Sequence, residues 1–176
     1  MRFFTVCSVV LMSMGMTAEC RSQAAVYAEF TGVKLSSANT PWLFGPTVGL
    51  YYDYGHGEIS TGFDVRGSFL RRGNFNGSTT DLELGLIGVR LAATPHVLPI
   101  KPYVEVLGGI GHMQSGVGST AISAKVFTYE LLGGVDFTFL PRLDWRVVEF
   151  SYGGLAVAGQ SFSPKSLSTG LVFRLP

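Results

Sequence analysis

Apolar and polar residues alternate in eight segments along most of this chain, and the pattern is clearest in the last segment. From Leu167 to Leu175 the odd-numbered face is apolar except for Thr169, whereas the other face carries Ser168 and Arg174. Successive side chains of a β-strand point to opposite faces, so the pattern predicts a strand with two unlike sides. One side suits lipid, and the Arg174 side requires water or a polar interior, as in a transmembrane β-barrel.

The same alternation predicts seven further strands, and no segment after residue 25 has helical periodicity over two or more turns. No stretch reaches 18 apolar residues, so strands and not helices are the predicted membrane-crossing elements. In the seventh segment the phase changes, which predicts a β-bulge near Val147 and Val148. The predicted strands span residues 25–35, 44–54, 58–70, 79–91, 101–112, 125–139, 142–152 and 166–175.

A sheet that crosses hydrocarbon has to close on itself, because every backbone hydrogen-bonding group needs a partner. We therefore predict an all-β fold, an eight-stranded antiparallel up-and-down transmembrane β-barrel in residues 25–176. Side chains fill a barrel of this size, so an open aqueous pore is not expected. Buried charges need partners, which predicts ion pairs centred on Arg66, Arg146 and Arg174. The predicted interior charge network comprises Asp64, Arg66, Glu83, Glu105, Glu130, Asp136, Arg146, Glu149 and Arg174.

The predicted connections differ between the two ends of the barrel. Residues 54–57 and 140–142 read as tight turns, whereas 71–78, 113–124 and 153–165 read as longer loops rich in Gly, Ser and Asn. Short periplasmic turns and longer external loops are typical of outer-membrane barrels. The proline-rich segment 94–102 is the exception, since it is long yet falls on the short-turn side.

The N-terminal segment reads as a secretory signal. Arg2 precedes an apolar run, and small residues surround Ala24, so we predict a signal peptide over residues 1–24. Cys7 and Cys20 both lie in this segment, which leaves no thiol for redox chemistry or a cysteine metal site in the mature chain. A lipidated Cys20 is the alternative, although Glu19 stands where a lipoprotein signal favours a small residue.

Composition narrows the class of protein further. Few charges (14% of 176 residues) and 23 glycines favour a single β-rich membrane domain over a soluble helical one. The formal net charge of +1 and the lack of a basic run argue against a nucleic-acid partner. A secreted lipocalin-like barrel with an apolar interior for a hydrophobic ligand is the rival fold. Its outer face would be poor in Lys and Glu, which disfavours it.

The chain offers weak candidates for site chemistry. The histidines fall on three separate segments and lack metal-ligand spacing, so we expect no metal, no cofactor and no catalytic residues. A lipid A-modifying enzyme that uses His112 and Ser115 is an alternative, but no orienting acid lies at recognisable spacing. Aromatic residues near predicted strand ends fit girdles at the two membrane interfaces. The histidines are His56, His96 and His112, and the aromatic residues are Trp42, Tyr51, Tyr52, Tyr54, Tyr103, Trp145 and Tyr152.

These features together resemble the small outer-membrane β-barrels of Gram-negative bacteria, the OmpA-like and OmpX-like porin-family group. The resemblance rests on the signal segment, the strand start Lys101 to Glu105 with its following glycines, Asp144 to Arg146, and the last strand. It implies a monomer in the bacterial outer membrane and recognition by the barrel-insertion machinery near Phe173. The expected partners are outer-membrane lipids and lipopolysaccharide. A non-enzymatic structural or surface role is expected, with transport of small hydrophobic compounds as a further alternative.

Overall fold

The computed structural model describes residues 21–35, 42–56, 58–75, 78–95, 98–117, 122–157 and 160–176. Cys7, Cys20 and residues 1–20 of the predicted signal segment lie outside the described residues. Residues 21–24 form the beginning of the first strand. Among the described residues, no helix has the length and apolar character needed to cross a membrane.

Antiparallel strands form one closed barrel in the described part of the chain. Each long strand pairs with its neighbour in sequence, and pairing of the last strand with the first completes the circle. This topology confirms the predicted up-and-down barrel. The strands are β1 (Arg21–Lys34), β2 (Trp42–His56), β3 (Ile59–Phe75), β4 (Ser78–Ala93), β5 (Ile100–Val117), β6 (Ile122–Leu140), β7 (Leu143–Val157), β8 (Gln160–Phe162) and β9 (Lys165–Arg174).

The short strand β8 and strand β9 occupy the same position in the barrel, next to β7. Leu155 pairs with Phe162 in β8, and Tyr152 pairs with Lys165 in β9, so the register along β7 continues unchanged across residues 163 and 164. The barrel therefore has eight strand positions, and the last is occupied by two strands separated by residues 163 and 164.

The outer surface is apolar and the interior is polar over much of its length. Phe30, Ile110 and Phe127 each expose 60% or more of their surface. Asp136 and Arg146, in contrast, have no exposed surface. An apolar exterior belongs in contact with lipid, since a solvated surface of this kind would be an extended aggregation-prone patch. The lipocalin-like alternative, which places the apolar face inward, is therefore wrong.

The predicted bulge in the seventh strand is confirmed. Val135 pairs with Val148 and Asp136 with Arg146, so Val147 is the extra residue of β7. Val147 and Val148 are consecutive and both exposed. The bulge shifts the phase so that Arg146 and Glu149, three residues apart, both point into the barrel.

The strands are longer than the alternation predicts, and the loops are correspondingly shorter. β3, β5 and β7 continue to Phe75, Val117 and Val157, which turns most of the predicted loops 71–78, 113–124 and 153–165 into strand. Pairing of backbone groups continues past the end of the lipid-facing pattern. At the opposite end, Pro99 of the proline-rich segment accepts a hydrogen bond from the Thr138 amide (2.7 Å), which ties this long connection to β6.

Candidate functional site

The barrel interior consists of three layers. A charged layer surrounds Arg66, Arg90 and Arg146 in the half of the barrel that contains the chain termini. A hydroxyl layer of serine and threonine follows, and an apolar plug fills the opposite half. The even strand count puts both termini at one end, which is the periplasmic end in barrels of the outer-membrane type, so the plug lies at the external end. The plug includes Val33, Leu35, Leu43, Leu70, Leu82, Leu84, Val126 and Leu155.

Arg66 and Arg146 join opposite walls of the barrel through one carboxylate. Arg66 Nη1 lies 2.7 Å from Glu149 Oε1, and Arg146 Nη1 lies 3.2 Å from Glu149 Oε2. Arg146 also contacts Glu29 of β1, on the far side of the intervening β9, and lies 2.9 Å from Asp136. Because β1, β3, β6 and β7 all contribute, the layer cross-links walls that share no backbone hydrogen bonds.

Arg90 completes the charged layer from β4. It contacts Glu105 and lies 3.4 Å from both Asp53 and Asp136. Its guanidinium carbon stands 4.2 Å from the ring centroid of Tyr51 and 3.8 Å from that of Tyr103. Stacking on aromatic faces suits a planar guanidinium in a dry site.

Tyrosine hydroxyls supply further hydrogen bonds to the carboxylates. The Tyr27 hydroxyl contacts both oxygens of Asp64, at 2.8 and 2.9 Å, and the Tyr103 hydroxyl donates to Glu149 Oε2 at 2.7 Å. Hydrogen bonds of this kind lower the cost of burying charge. A smaller cluster lies at the periplasmic mouth, where Asp144 binds Arg174 at 2.7 Å and Lys101 at 3.6 Å.

The hydroxyl layer separates charge from plug. Thr31 lies 2.9 Å from both Thr47 and Ser168, and Thr47 donates to Ser68 at the same distance. A cavity of about 20 Å³ lies between this layer and the plug, with Glu130 among its lining residues. It has room for about one water molecule. The described interior is therefore filled by side chains and does not resemble a channel.

The structure places most of the predicted interior charges on the inward face. Asp64, Arg66, Glu105, Asp136, Arg146 and Glu149 are buried there. Glu130 and Arg174 are partly buried on the same face. The placement of Glu83 inside the barrel was wrong, since its side chain is exposed and stands opposite His112 on the outer surface. In β4 the inward phase is set by Arg90 and includes Leu82, Leu84 and Leu86, so Glu83 faces outward.

Sequence reasoning missed Glu29, Asp53, Arg90 and Asp144, which are all buried in the interior. Glu29 could have been found from its phase, because it alternates with outward Phe30 in β1. The placement of Tyr51 and Tyr103 in the aromatic girdles was also wrong. Both are buried and stack on Arg90, whereas Trp42, Tyr52, Tyr54, Trp145 and Tyr152 are exposed on the outer surface.

Charged residues return to the outer surface at the external rim. The side chains of Lys34, Lys125, Lys165 and Arg71 are exposed, and Arg71 pairs with Asp81 at 3.1 Å. His112 is exposed between Glu83 and Lys125 in the strand register. Of the other histidines, His56 lies in β2 without a described side chain, and His96 lies outside the described residues. Within the described ranges, no group of three or more His, Cys, Asp and Glu residues could hold a metal ion.

Comparison with solved structures identifies this architecture. Neisserial surface protein A (NspA) superimposes with a TM-score of 0.61 at 16% identity, over 88% of this chain and 99% of that protein. The attachment invasion locus protein Ail of Yersinia pestis gives a TM-score of 0.59 at 14% identity, over 88% of this chain and 97% of Ail. No protein-family model matches the chain, and no curated protein sequence matches it.

The fold and the apolar exterior define the class: the chain is a small eight-stranded β-barrel of the outer-membrane type. Such barrels reside in the bacterial outer membrane, and the apolar outer surface described above requires a lipid environment.

Proposed function

We propose that this outer-membrane barrel has a non-enzymatic structural and surface role, in which the external rim contacts lipopolysaccharide. The observation that supports the proposal is that charged residues occupy two separate places, the barrel interior and the external rim. The interior charges pair with one another and are covered by the apolar plug. Lys34 and Lys165 of the external rim, in contrast, are exposed and form no ion pair with a carboxylate among the described residues. The rim therefore has the charges that remain available for a partner.

The filled interior argues against the transport of small hydrophobic compounds. The interior cavity holds about one water molecule, and the wall is closed by the β6–β7 and β1–β9 pairings. The two similar proteins support a surface role in general terms, since one is a surface protein and the other an attachment protein. Similarity in fold alone does not show that this protein binds the same partners.

Gene deletion in the source bacterium tests this proposal. The uptake of a fluorescent hydrophobic probe by intact cells would be measured with and without the gene. We expect deletion to increase uptake and the wild-type gene to restore the barrier. Lipopolysaccharide that co-purifies with the barrel would be measured as bound phosphate. Unchanged uptake together with no bound lipopolysaccharide would overturn the proposed role.

A lipid-modifying enzyme is the second candidate, and one observation favours it. The acid and the histidine of Glu83 and His112 stand opposite each other on the outer surface, above an apolar groove of about 720 Å³ that includes Ile110 and Phe127. Ser115, which the enzyme alternative combines with His112, lies in β5, but its side chain is outside the described part of the chain. Lipid A of identical mass in deletion and wild-type cells would rule out this activity, whereas a mass difference of one acyl chain would support it.

A further inference from the structure

Two lysines stand directly opposite each other on the outer surface of the barrel. Lys34 of β1 pairs with Lys165 of β9, and both side chains are exposed. Among the described residues, neither ammonium group forms an ion pair with a carboxylate. Lys165 lies 6.0 Å from the centroid of the Tyr152 ring, on the side away from Lys34. Like charges opposite each other across a ladder are destabilising, so this position favours an anion between them.

An aromatic groove lies directly below the two lysines. Trp42 pairs with Lys34 in the strand register, and its ring stacks on Phe44 with the centroids 6.1 Å apart. Phe44 in turn stacks on Phe30 at 6.0 Å, so the three rings form a continuous wall. Leu167 of β9 lines the groove, whose volume is about 540 Å³.

Gly32 leaves space for the ring of Phe44 in this row of aromatic side chains. A Cβ atom at Gly32 would lie 2.8 Å from Cε1 of Phe44, closer than ordinary contacts allow. Glycine therefore permits the Phe44 ring to lie against the barrel backbone. The outcome is an apolar surface with room for an acyl chain. The two lysines adjoin its external end, since Lys34 pairs with Trp42 and Lys165 precedes Leu167 on the same face.

Two other grooves on the outer surface differ in charge. The groove below His112 is lined by Glu83 on one side of His112 and by Lys125 on the other, so an acid accompanies the cation there. A third groove, of about 630 Å³ between Tyr54 and Val104, lies towards the periplasmic end, and no outward lysine or arginine of the described strands stands next to its lining residues in the strand register. Among the described residues, the groove below Lys34 and Lys165 thus differs from both, since two cations and no acid stand next to its apolar lining.

We propose that this groove binds a phosphorylated glycolipid of the outer leaflet, with a phosphate between Lys34 and Lys165 and an acyl chain along Phe30 and Phe44. A phosphate accepts charge-assisted hydrogen bonds from both ammonium groups, which removes their mutual repulsion. The external position of the pair selects a lipid of the outer leaflet. This inference rests on the proposed function and assigns lipopolysaccharide contact to one site.

The test is a titration of the purified barrel in detergent micelles with bisphosphorylated, hexa-acylated lipid A, followed by native mass spectrometry. Each lysine near a charged lipid surface is expected to contribute about fivefold in affinity, so K34Q/K165Q should lose about 25-fold. The matched control is K125Q, a rim lysine opposite His112 in a groove that also contains Glu83, which should bind as the wild type does. Lipid A without its phosphates should bind equally weakly to the wild type and to K34Q/K165Q.

Three results would overturn the site. These are equal binding by the wild type and K34Q/K165Q, an equal loss in K125Q, and equally tight binding of phosphatidylglycerol, which would indicate any anionic lipid. Folding of each variant is checked by the change in electrophoretic mobility on heating. If the deletion strain loses its barrier but K34Q/K165Q restores it and still binds lipid A, the site fails and the proposed function stands. If K34Q/K165Q loses binding but deletion leaves the barrier intact, the site stands and the structural part of the proposed function fails.

Discussion

Arg146→Leu is the most informative change in the charged layer. Arg146 is fully buried and contacts Glu29, Asp136 and Glu149. The three carboxylates would be affected unequally. Asp136 would keep Arg90 at 3.4 Å, and Glu149 would keep Arg66 at 2.7 Å. Glu29 would lose the cation that it contacts, and its second oxygen already has no hydrogen-bond partner among the described residues.

The expected cost follows from this one orphaned carboxylate. Removing one partner of a buried ion pair destabilises a protein by about 3–5 kcal/mol, because the remaining charge stays desolvated. With a urea m-value of about 2 kcal/mol/M, the unfolding midpoint should fall by about 1.5–2.5 M. Arg71→Leu is the control, since the Arg71–Asp81 pair is largely exposed and should contribute less than about 1 kcal/mol.

Urea unfolding of the barrel in lipid vesicles, followed by tryptophan fluorescence, measures these values. Glu29→Gln provides the decisive comparison because it neutralises the orphaned carboxylate. It should destabilise the wild type by about 1–3 kcal/mol but stabilise the Arg146→Leu variant by a similar amount, since coupled neighbours are not additive. If Glu29→Gln destabilises both backgrounds equally, or if Arg146→Leu costs no more than Arg71→Leu, the buried-pair argument is refuted.

Three further outcomes are expected. Gly49→Ala should lose about 1–3 kcal/mol in urea unfolding, since a Cβ there meets the Tyr27 ring and lies 2.7 Å from the Val65 carbonyl oxygen, whereas Gly108→Ala, with no atom within 4 Å, should stay within about 0.5 kcal/mol. Leu82→Ala, at a fully buried plug position, should lower the free energy of unfolding by about 2–5 kcal/mol in the same assay. The unboiled outer-membrane protein should migrate differently from the boiled protein in SDS electrophoresis, and a single unchanged band would contradict a closed barrel.

The architecture could be predicted from sequence because every strand has one face in contact with lipid and therefore carries apolar residues at every second position. Outward positions such as Phe63, Val65 and Phe69 repeat every second residue, and this period defines strands, faces and the bulge at Val147. The external strand ends could not be predicted in the same way. Residues 71–75 continue the hydrogen-bonded ladder of β3, but they lie beyond the apolar band, so polar and glycine residues there resemble a loop.

The orientation of the interior charges was harder to predict. In a strand whose two faces are both apolar, the alternation of polar and apolar residues does not show which face points inward. Arg90 shares its face with three leucines of the plug, so β4 has apolar residues inside and outside. A charge in such a strand can be assigned only by counting from a residue of known orientation. The pairing of Arg66 with Glu149 is also beyond sequence reasoning, since strand order alone leaves the height of each residue along the barrel undefined.

The two glutamates Glu83 and Glu105 give a direct test of this phase argument. Glu105 is buried between Arg66 and Arg90, so Glu105→Leu leaves two guanidiniums without one of their carboxylates and should cost about 3–5 kcal/mol. Glu83→Leu removes an exposed charge from the outer rim and should change the free energy of unfolding by less than about 1 kcal/mol. Urea midpoints of the two variants in lipid vesicles measure the difference. If both variants lost about 3–5 kcal/mol, Glu83 would lie inside the barrel and the phase of β4 would be reversed, because a carboxylate that is costly to remove has to be paired within the interior. If neither variant lost stability, the argument from buried ion pairs would fail for Glu105.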